Sequence, residues 1–232
     1  MGEFNGFDQN IFTLLEINKF NDSKIFYESV KEEIKQGAII PMRKLCSDLA
    51  DELYAVDDKM NLIPTKMVSR IRRDTRFSKN KDLYRANVWC MFMRDKHIWQ
   101  RQPCMWFEFY PEYYNYGIGT FRNDTLFLEN FREYLVGHQD EFKEALRILS
   151  LTGATLDIEC FKKNKPGVER VTEDLRRFYN SKYFYFIYSS PEMNKLIDGS
   201  IKEELVYAIR AFSPMYKFLA EITDKIVAEG AE

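Results

Sequence analysis

Residues 86–95 read "ANVWCMFMRD", and the two runs that follow are "CMWFEFY" (104–110) and "YNYGIGTF" (114–121). All three are short and dominated by aromatic and aliphatic residues, which suits a pleated surface. The first is apolar on both faces, which predicts a central place in a sheet. The connections between them suit an antiparallel meander. Gly117 and Gly119 lie two apart, so in a strand they open the same face. Such a face admits a backbone, a ring or a ligand, and the plain expectation is an aromatic stacked over glycine.

Outward from these strands the pattern turns helical. Phe7, Ile11, Leu14 and Leu15 recur at helical spacing, and "NDS" (21–23) offers N-cap oxygens for a second helix bearing Phe26, Val30 and Ile34. Gly37 and Pro41 interrupt or kink the pattern before Met42, Leu45, Leu49 and Leu53 resume it. Beyond the strands, "NDTLFLENFREYLVG" (123–137) reads as a capped helix, and a second helix covers roughly 139–149. "ATLDIECF" (154–161) alternates as a strand, and "YFYFIYS" (183–189) is a strand candidate with a helical reading left open. Ile201, Leu205, Ala208, Ile209 and Phe212 form a helical stripe; Ser213-Pro214 then predicts the cap and first residue of a separate last helix.

These elements predict one α+β domain over 1–232, helical over 7–56, mainly β over 66–121, mixed over 123–189 and helical over 191–229. A mostly antiparallel sheet in the middle of the chain is flanked by N-terminal and C-terminal helices packed on it.

Bulk composition excludes more than it assigns. With 232 residues, 45% hydrophobic and 30% charged, the chain has ordinary globular composition. No apolar run approaches a membrane span, and "MGEFNGFD" has neither the basic nor the apolar part of a signal peptide. The four cysteines are widely spaced; three of them in apolar runs read as buried thiols of a reducing compartment. A cytoplasmic protein is the expectation. The net charge of −2 gives no general reason for a nucleic-acid partner.

That charge is uneven. From Lys66 to Arg101 there are 11 Lys/Arg and 3 Asp/Glu. The densest part is "SRIRRDTRFSKNKDLYRANVW" (69–89). "VSRIRRD" (68–74) has strand character, with Val68 and Ile71 among charges; if 68–76 is extended, Arg70, Arg72, Asp74 and Arg76 share one face, and Ile71, Arg73, Thr75 and Phe77 the other. Like-charged guanidiniums on one face repel unless an anion sits among them, and arginine grips phosphate or carboxylate with paired N–H donors. Two other readings compete: a solvated charged hairpin, and an internal Arg–Asp–Tyr network tying the helical N-terminal part to the sheet.

The run "RIRRDTRFSKNKDLY" (70–84) fits every fixed position of the signature R-x-x-R-D-x-R-F-x-x-x-K-x-x-Y, at Arg70, Arg73, Asp74, Arg76, Phe77, Lys81 and Tyr84. In this run, and in "NKFNDSKIFYESVKEEI" (18–34), "YNYGIGTF" and "AFSPMYKFLAEI" (211–222), the chain resembles over its full length an uncharacterised family, a domain of unknown function. The resemblance implies that these residues are kept together and carries no activity with it. The candidate ligand site is Arg70, Arg73 and Arg76 as clamps, Asp74 as orienter, and Lys81 and Tyr84 as further donors, with Phe77 in the core beneath. A small phosphorylated or carboxylated ligand suits it. The alternative is a structural or interaction protein whose signature is a salt-bridge scaffold.

Other chemistry is weakly marked. His97 and His138 stand in no metal-ligand spacing, and no metal or cofactor is expected. Phosphate-loop, dinucleotide and nucleophile-elbow motifs are missing. A Cys–His nucleophile would require Cys90 or Cys104 to meet His97. Glu108, Asp157 and Glu159 stand in apolar settings, from which one could answer the arginines or act as acid or base. Tyr110, Tyr113, Tyr114 and Tyr116 beside the basic run give a minor reading as a single-strand nucleic-acid binder.

Overall fold

The structure, a computed structural model, describes residues 3–76 and 78–230. Four helices come first: α1 (Ile11–Asn21), α2 (Lys24–Ile34), α3 (Ile40–Asp48) and α4 (Ala50–Val56), then a single turn, α5 (Pro64–Met67). The Ser23 hydroxyl accepts the Phe26 N–H and caps α2. The irregularity expected at Gly37 and Pro41 is a π-helical turn, Lys35–Ile39, which joins α2 to α3 without breaking the helical path.

The sheet has five strands, all antiparallel: β1 (Val88–Phe92), β2 (Cys104–Phe109), β3 (Tyr114–Gly119), β4 (Thr155–Cys160) and β5 (Ser181–Ser190), in the order β1-β2-β3-β5-β4. The 183–189 run is therefore strand. Between β3 and β4 lie α6 (Thr125–Gly137), capped by Asp124, and α7 (Gln139–Ser150). A turn, α8 (Arg176–Tyr179), precedes β5; α9 (Asn194–Asp198) and α10 (Ile201–Ala228) follow it.

Strand alternation sorts the side chains. Val88, Cys90, Phe92, Phe107, Phe109, Tyr114, Tyr116 and Phe184 turn to one face and are buried. There the helices meet them: Phe7 and Phe12 contact the Phe109 ring, Phe131 and Phe142 the Phe184 ring, and Phe212 of α10 the Tyr116 ring. On the opposite face a smaller apolar cluster gathers Met93, Cys104 and Trp106, with Met91, Phe121, Tyr185 and Ile187 against it. Trp106 lies over Gly117, where a Cβ would collide with its ring. The aromatic over glycine is thus the observed arrangement.

Three expectations change. β1 stands at the edge of the sheet, not at its centre. Its apolar character reports two covered faces, the large core on one side and the Trp106 cluster on the other; it says nothing about strand neighbours. "VSRIRRD" (68–74) forms no strand; Val68 and Arg72 make only isolated bridges, to Cys90 and Tyr84. Ser213-Pro214 starts no helix, because α10 runs unbroken through Pro214. Proline forfeits one helical hydrogen bond, but Phe212, Met215, Tyr216 and Leu219 are all buried across it, and their packing holds the helix.

One ion network had no sequence signal. Arg94, just beyond β1, is 8% exposed. Its Nε donates to Asp57 Oδ2 at 2.7 Å and its Nη1 to Asp224 Oδ1 at 2.6 Å. The Tyr216 hydroxyl donates to Asp57 Oδ2 at 3.0 Å, and Lys59 pairs with Asp224 at 2.8 Å. Burial works against the Arg94 charge, but the two carboxylates outweigh it and hold the guanidinium protonated. The network ties the end of α4 to β1 and α10.

Candidate functional site

Segment 68–74 runs antiparallel to 83–90 along the free edge of β1. Ser69 N–H donates to the Trp89 carbonyl at 2.8 Å, Arg73 N–H to Leu83 at 2.8 Å and Arg85 N–H to Ile71 at 3.2 Å. The far end turns at Asn80, whose Oδ1 accepts the Asp82 N–H at 2.8 Å. Ile71 is buried at 3% exposure between the exposed Arg70 and Arg72. The cleft does not follow the predicted two-face division. Arg73 and Thr75 reach the same cleft as Arg70, Arg72, Asp74 and Arg76.

That cleft has a volume of about 960 Å³, at the upper end of the ~300–1,000 Å³ usual for ligand pockets. Lys66 from α5, Arg85, Trp89 and Lys96 complete its charged and aromatic lining. Seven basic side chains face it against two acids, Asp74 and Asp95. The charges are answered unequally. Arg76 makes a bidentate pair with Asp74, Nε to Oδ1 at 3.0 Å and Nη2 to Oδ2 at 2.7 Å. That pair, and the Arg76 N–H behind it, hold the Asp74 carboxyl down to about 2. Arg73 reaches Ser78 Oγ at 3.4 Å and Asp82 at 3.9 Å. Arg85 donates to the Arg70 carbonyl at 3.0 Å, and burial, then the Arg73 and Arg70 charges, lower its proton affinity. Lys96 donates to the Lys66 carbonyl at 2.7 Å. Among the described residues, the Arg70 and Arg72 guanidiniums have no hydrogen-bond or ion-pair partner.

Of the residues named from sequence, Arg70, Arg73, Asp74 and Arg76 come together in the cleft. Lys81 and Tyr84 do not line it. The Lys81 ammonium donates to the Thr75 carbonyl at 3.0 Å, closing the loop. Tyr84 is 1% exposed and stacks on Tyr27 at 4.6 Å, and burial raises its hydroxyl above the usual range. Phe77 lies outside the described residues. The tie between the helical N-terminal part and this segment runs through Asp22, whose Oδ1 accepts the N–H groups of Leu83 (2.7 Å) and Tyr84 (3.0 Å). Asp22 can do this because it closes α1 in the left-handed conformation, at φ 44°.

Sequence reading missed Lys66, Arg72, Arg85, Trp89 and Lys96 as cleft residues. Arg72 and Arg85 were visible in the charge run; the others enter through folding of α5 and β1 against it. The carboxylates held in reserve answer elsewhere: Glu108 accepts from Asn87 and Asn115, Asp157 from Tyr185, and Glu159 from Lys182. Cys90 and Cys104 are fully buried, and burial pushes both thiols up, whereas His97 is exposed and paired with Asp95. His138 stacks on Tyr134. Tyr114 and Tyr116 are core residues, and Tyr110 stacks on the exposed Tyr113. Among the described residues no helix is long and apolar enough to cross a membrane, and no group of three His, Cys, Asp or Glu is placed to hold a metal ion.

Fold and cleft together define an α+β protein that carries a cationic cleft along one sheet edge. Its family follows from comparison: the model of a conserved hypothetical protein (DUF2461) matches residues 10–218, and the chain belongs to that family. No curated protein matches the chain.

Proposed function

We propose that the protein binds a small phosphorylated or carboxylated anion in this cleft. The observation that carries the reading is the pair Arg70 and Arg72, whose guanidiniums face the cleft without acceptors among the described residues. Arginines that only brace a fold find carboxylates or carbonyls, as Arg94 does here. Uncompensated like charge beside a concave surface favours an anion from outside. Arg73, only loosely answered by Ser78 and Asp82, adds a third donor. Arg76 is occupied by Asp74, which supports a local brace for it and not a clamp.

The competing reading is an interaction protein with a structural signature, which the Asp74–Arg76 pair and the buried Tyr84 favour. Thermal unfolding separates the two. The wild type is heated with sugar phosphates, nucleotides, polyphosphate and dicarboxylates, beside Arg70→Ala/Arg72→Ala. A ligand at a hundred times its Kd stabilises by about 2.7 kcal/mol, a shift of roughly 5–10 °C at this size. The expected result is a shift in the wild type that the double variant loses. No shift with any anion overturns the reading.

A further inference from the structure

The cleft is not lined by charge alone. Trp89 of β1 is half-buried and faces it. Its backbone is fixed on both sides by Ser69: the Trp89 N–H donates to Ser69 Oγ at 3.1 Å, and its carbonyl accepts the Ser69 N–H at 2.8 Å. The next residue after Ser69 is Arg70. The indole and the unpartnered guanidiniums are therefore held on paired backbone segments. Most aromatic side chains here meet another ring, as Trp106 meets Phe121 and Tyr185. Trp89 meets none, and no cation stands over it, among the described residues. An indole at the cleft wall beside arginines, with no ring or cation of its own to meet, is the pairing that recognises a planar ring joined to phosphate.

Charge narrows the class. The seven basic and two acidic side chains leave the cleft at +5. One phosphate monoester brings only about two negative charges, so a chain of phosphates answers the cleft better. Its volume also exceeds what a lone phosphate fills.

We infer that the cleft binds a nucleoside di- or triphosphate, its base stacked on Trp89 and its phosphates between Arg70, Arg72 and Arg73. This rests on the anion-binding reading above and goes further by naming the ring. Lys66 and Lys96 stand at the cleft as additional positive charge for the phosphate chain.

The test is isothermal titration of the full chain with ATP, UTP, inorganic tripolyphosphate and a short single-stranded oligothymidylate. Wild type, Trp89→Leu and Trp89→Phe are compared, each first shown by thermal unfolding to be folded. The nucleotides bind about tenfold to a hundredfold more tightly than tripolyphosphate, the gain that one stacked base supplies. Trp89→Leu removes that advantage and leaves tripolyphosphate affinity unchanged; Trp89→Phe, which keeps a ring, retains most of it. If tripolyphosphate binds as tightly as ATP and Trp89→Leu changes neither, the ring assignment is wrong while the anion reading stands. Binding of neither sinks both. Oligothymidylate bound more tightly than UTP, with the same loss in Trp89→Leu, replaces the small ligand by a nucleic-acid strand.

Discussion

Two arginine centres lie next to β1, Arg94 just past its end and Arg70 with Arg72 on the segment along its edge, and the fold treats them oppositely. Arg94 is buried, and two carboxylates meet its guanidinium within 3.4 Å. Arg70 and Arg72 are exposed at the edge and make no hydrogen bond or ion pair among the described residues, although the Asp74 carboxylate feels the Arg70 charge. A buried guanidinium without acceptors costs several kcal/mol, so the interior has to answer it. At the surface water answers instead, and the unused donors stay available. The first centre is part of the fold; the second is tolerated by it.

The largest effect belongs to the first centre. Arg94→Ala leaves Asp57, whose side chain is 6% exposed, without its cation. Breaking one partner of a buried pair costs about 3–5 kcal/mol. In a chain of this size that is a loss of roughly 6–20 °C in Tm. A variant that unfolds within a few degrees of the wild type would show that the network is not a strut.

Asp224→Asn tests the same centre through pH. Burial pulls the Asp224 carboxyl up, but hydrogen bonds from Arg94 and Lys59 outweigh it and hold it below its ordinary value. A carboxyl depressed in the folded state contributes stability above its unfolded value of 3.8, and that contribution is lost as pH falls through the folded one. At neutral pH the variant loses about 1–2 kcal/mol. On acidification below pH 3.8 the two unfolding curves converge. A difference that stays constant to pH 2 would exclude the charge as its source.

Arg73 stands between the two centres. Its side chain is 23% exposed, with one long hydrogen bond and one ion pair at 3.9 Å. Arg73→Ala is expected to cost less than about 1 kcal/mol, read as a Tm change of a few degrees at most, and to weaken any anion that the cleft holds. A loss as large as that of Arg94→Ala would move Arg73 into the scaffold.

Legibility in the sequence followed the same division. Period, composition and capping located the elements: Ser23 and Asp124 cap as their positions predict, and the strands at 104–109 and 114–119 fall within the aromatic runs that announced them. Pro214 was misread because a local rule was applied where long-range packing of α10 decides. β1 was misplaced because hydrophobicity reports covered faces and not strand order. In the cleft, Arg70, Arg73, Asp74 and Arg76 were legible from spacing. Tyr84 has a donor's place in the signature, but it is buried against Tyr27 and does not line the cleft. Lys66, Trp89 and Lys96 join the cleft through contacts distant in sequence, which no local pattern records. Nor did any pattern announce Asp57, Arg94 and Asp224, which meet from three separate parts of the chain.

The smallest effect on stability is the one that bears most on function. Arg70→Ala/Arg72→Ala removes two cations that brace nothing among the described residues, so the unliganded protein changes by no more than about 0.5 kcal/mol. A slight gain would fit as well, because Arg85 loses a repelling neighbour in Arg70. Scaffold arginines behave otherwise: their removal exposes acceptors and lowers Tm. Thermal unfolding without ligand therefore already divides the two readings, before any ligand is known. A double variant as stable as the wild type leaves both charges without a folding role, which is the outcome expected of arginines kept free for a ligand. A loss of several degrees instead places Arg70 and Arg72 with Arg94, and the difference between the two centres becomes one of depth alone.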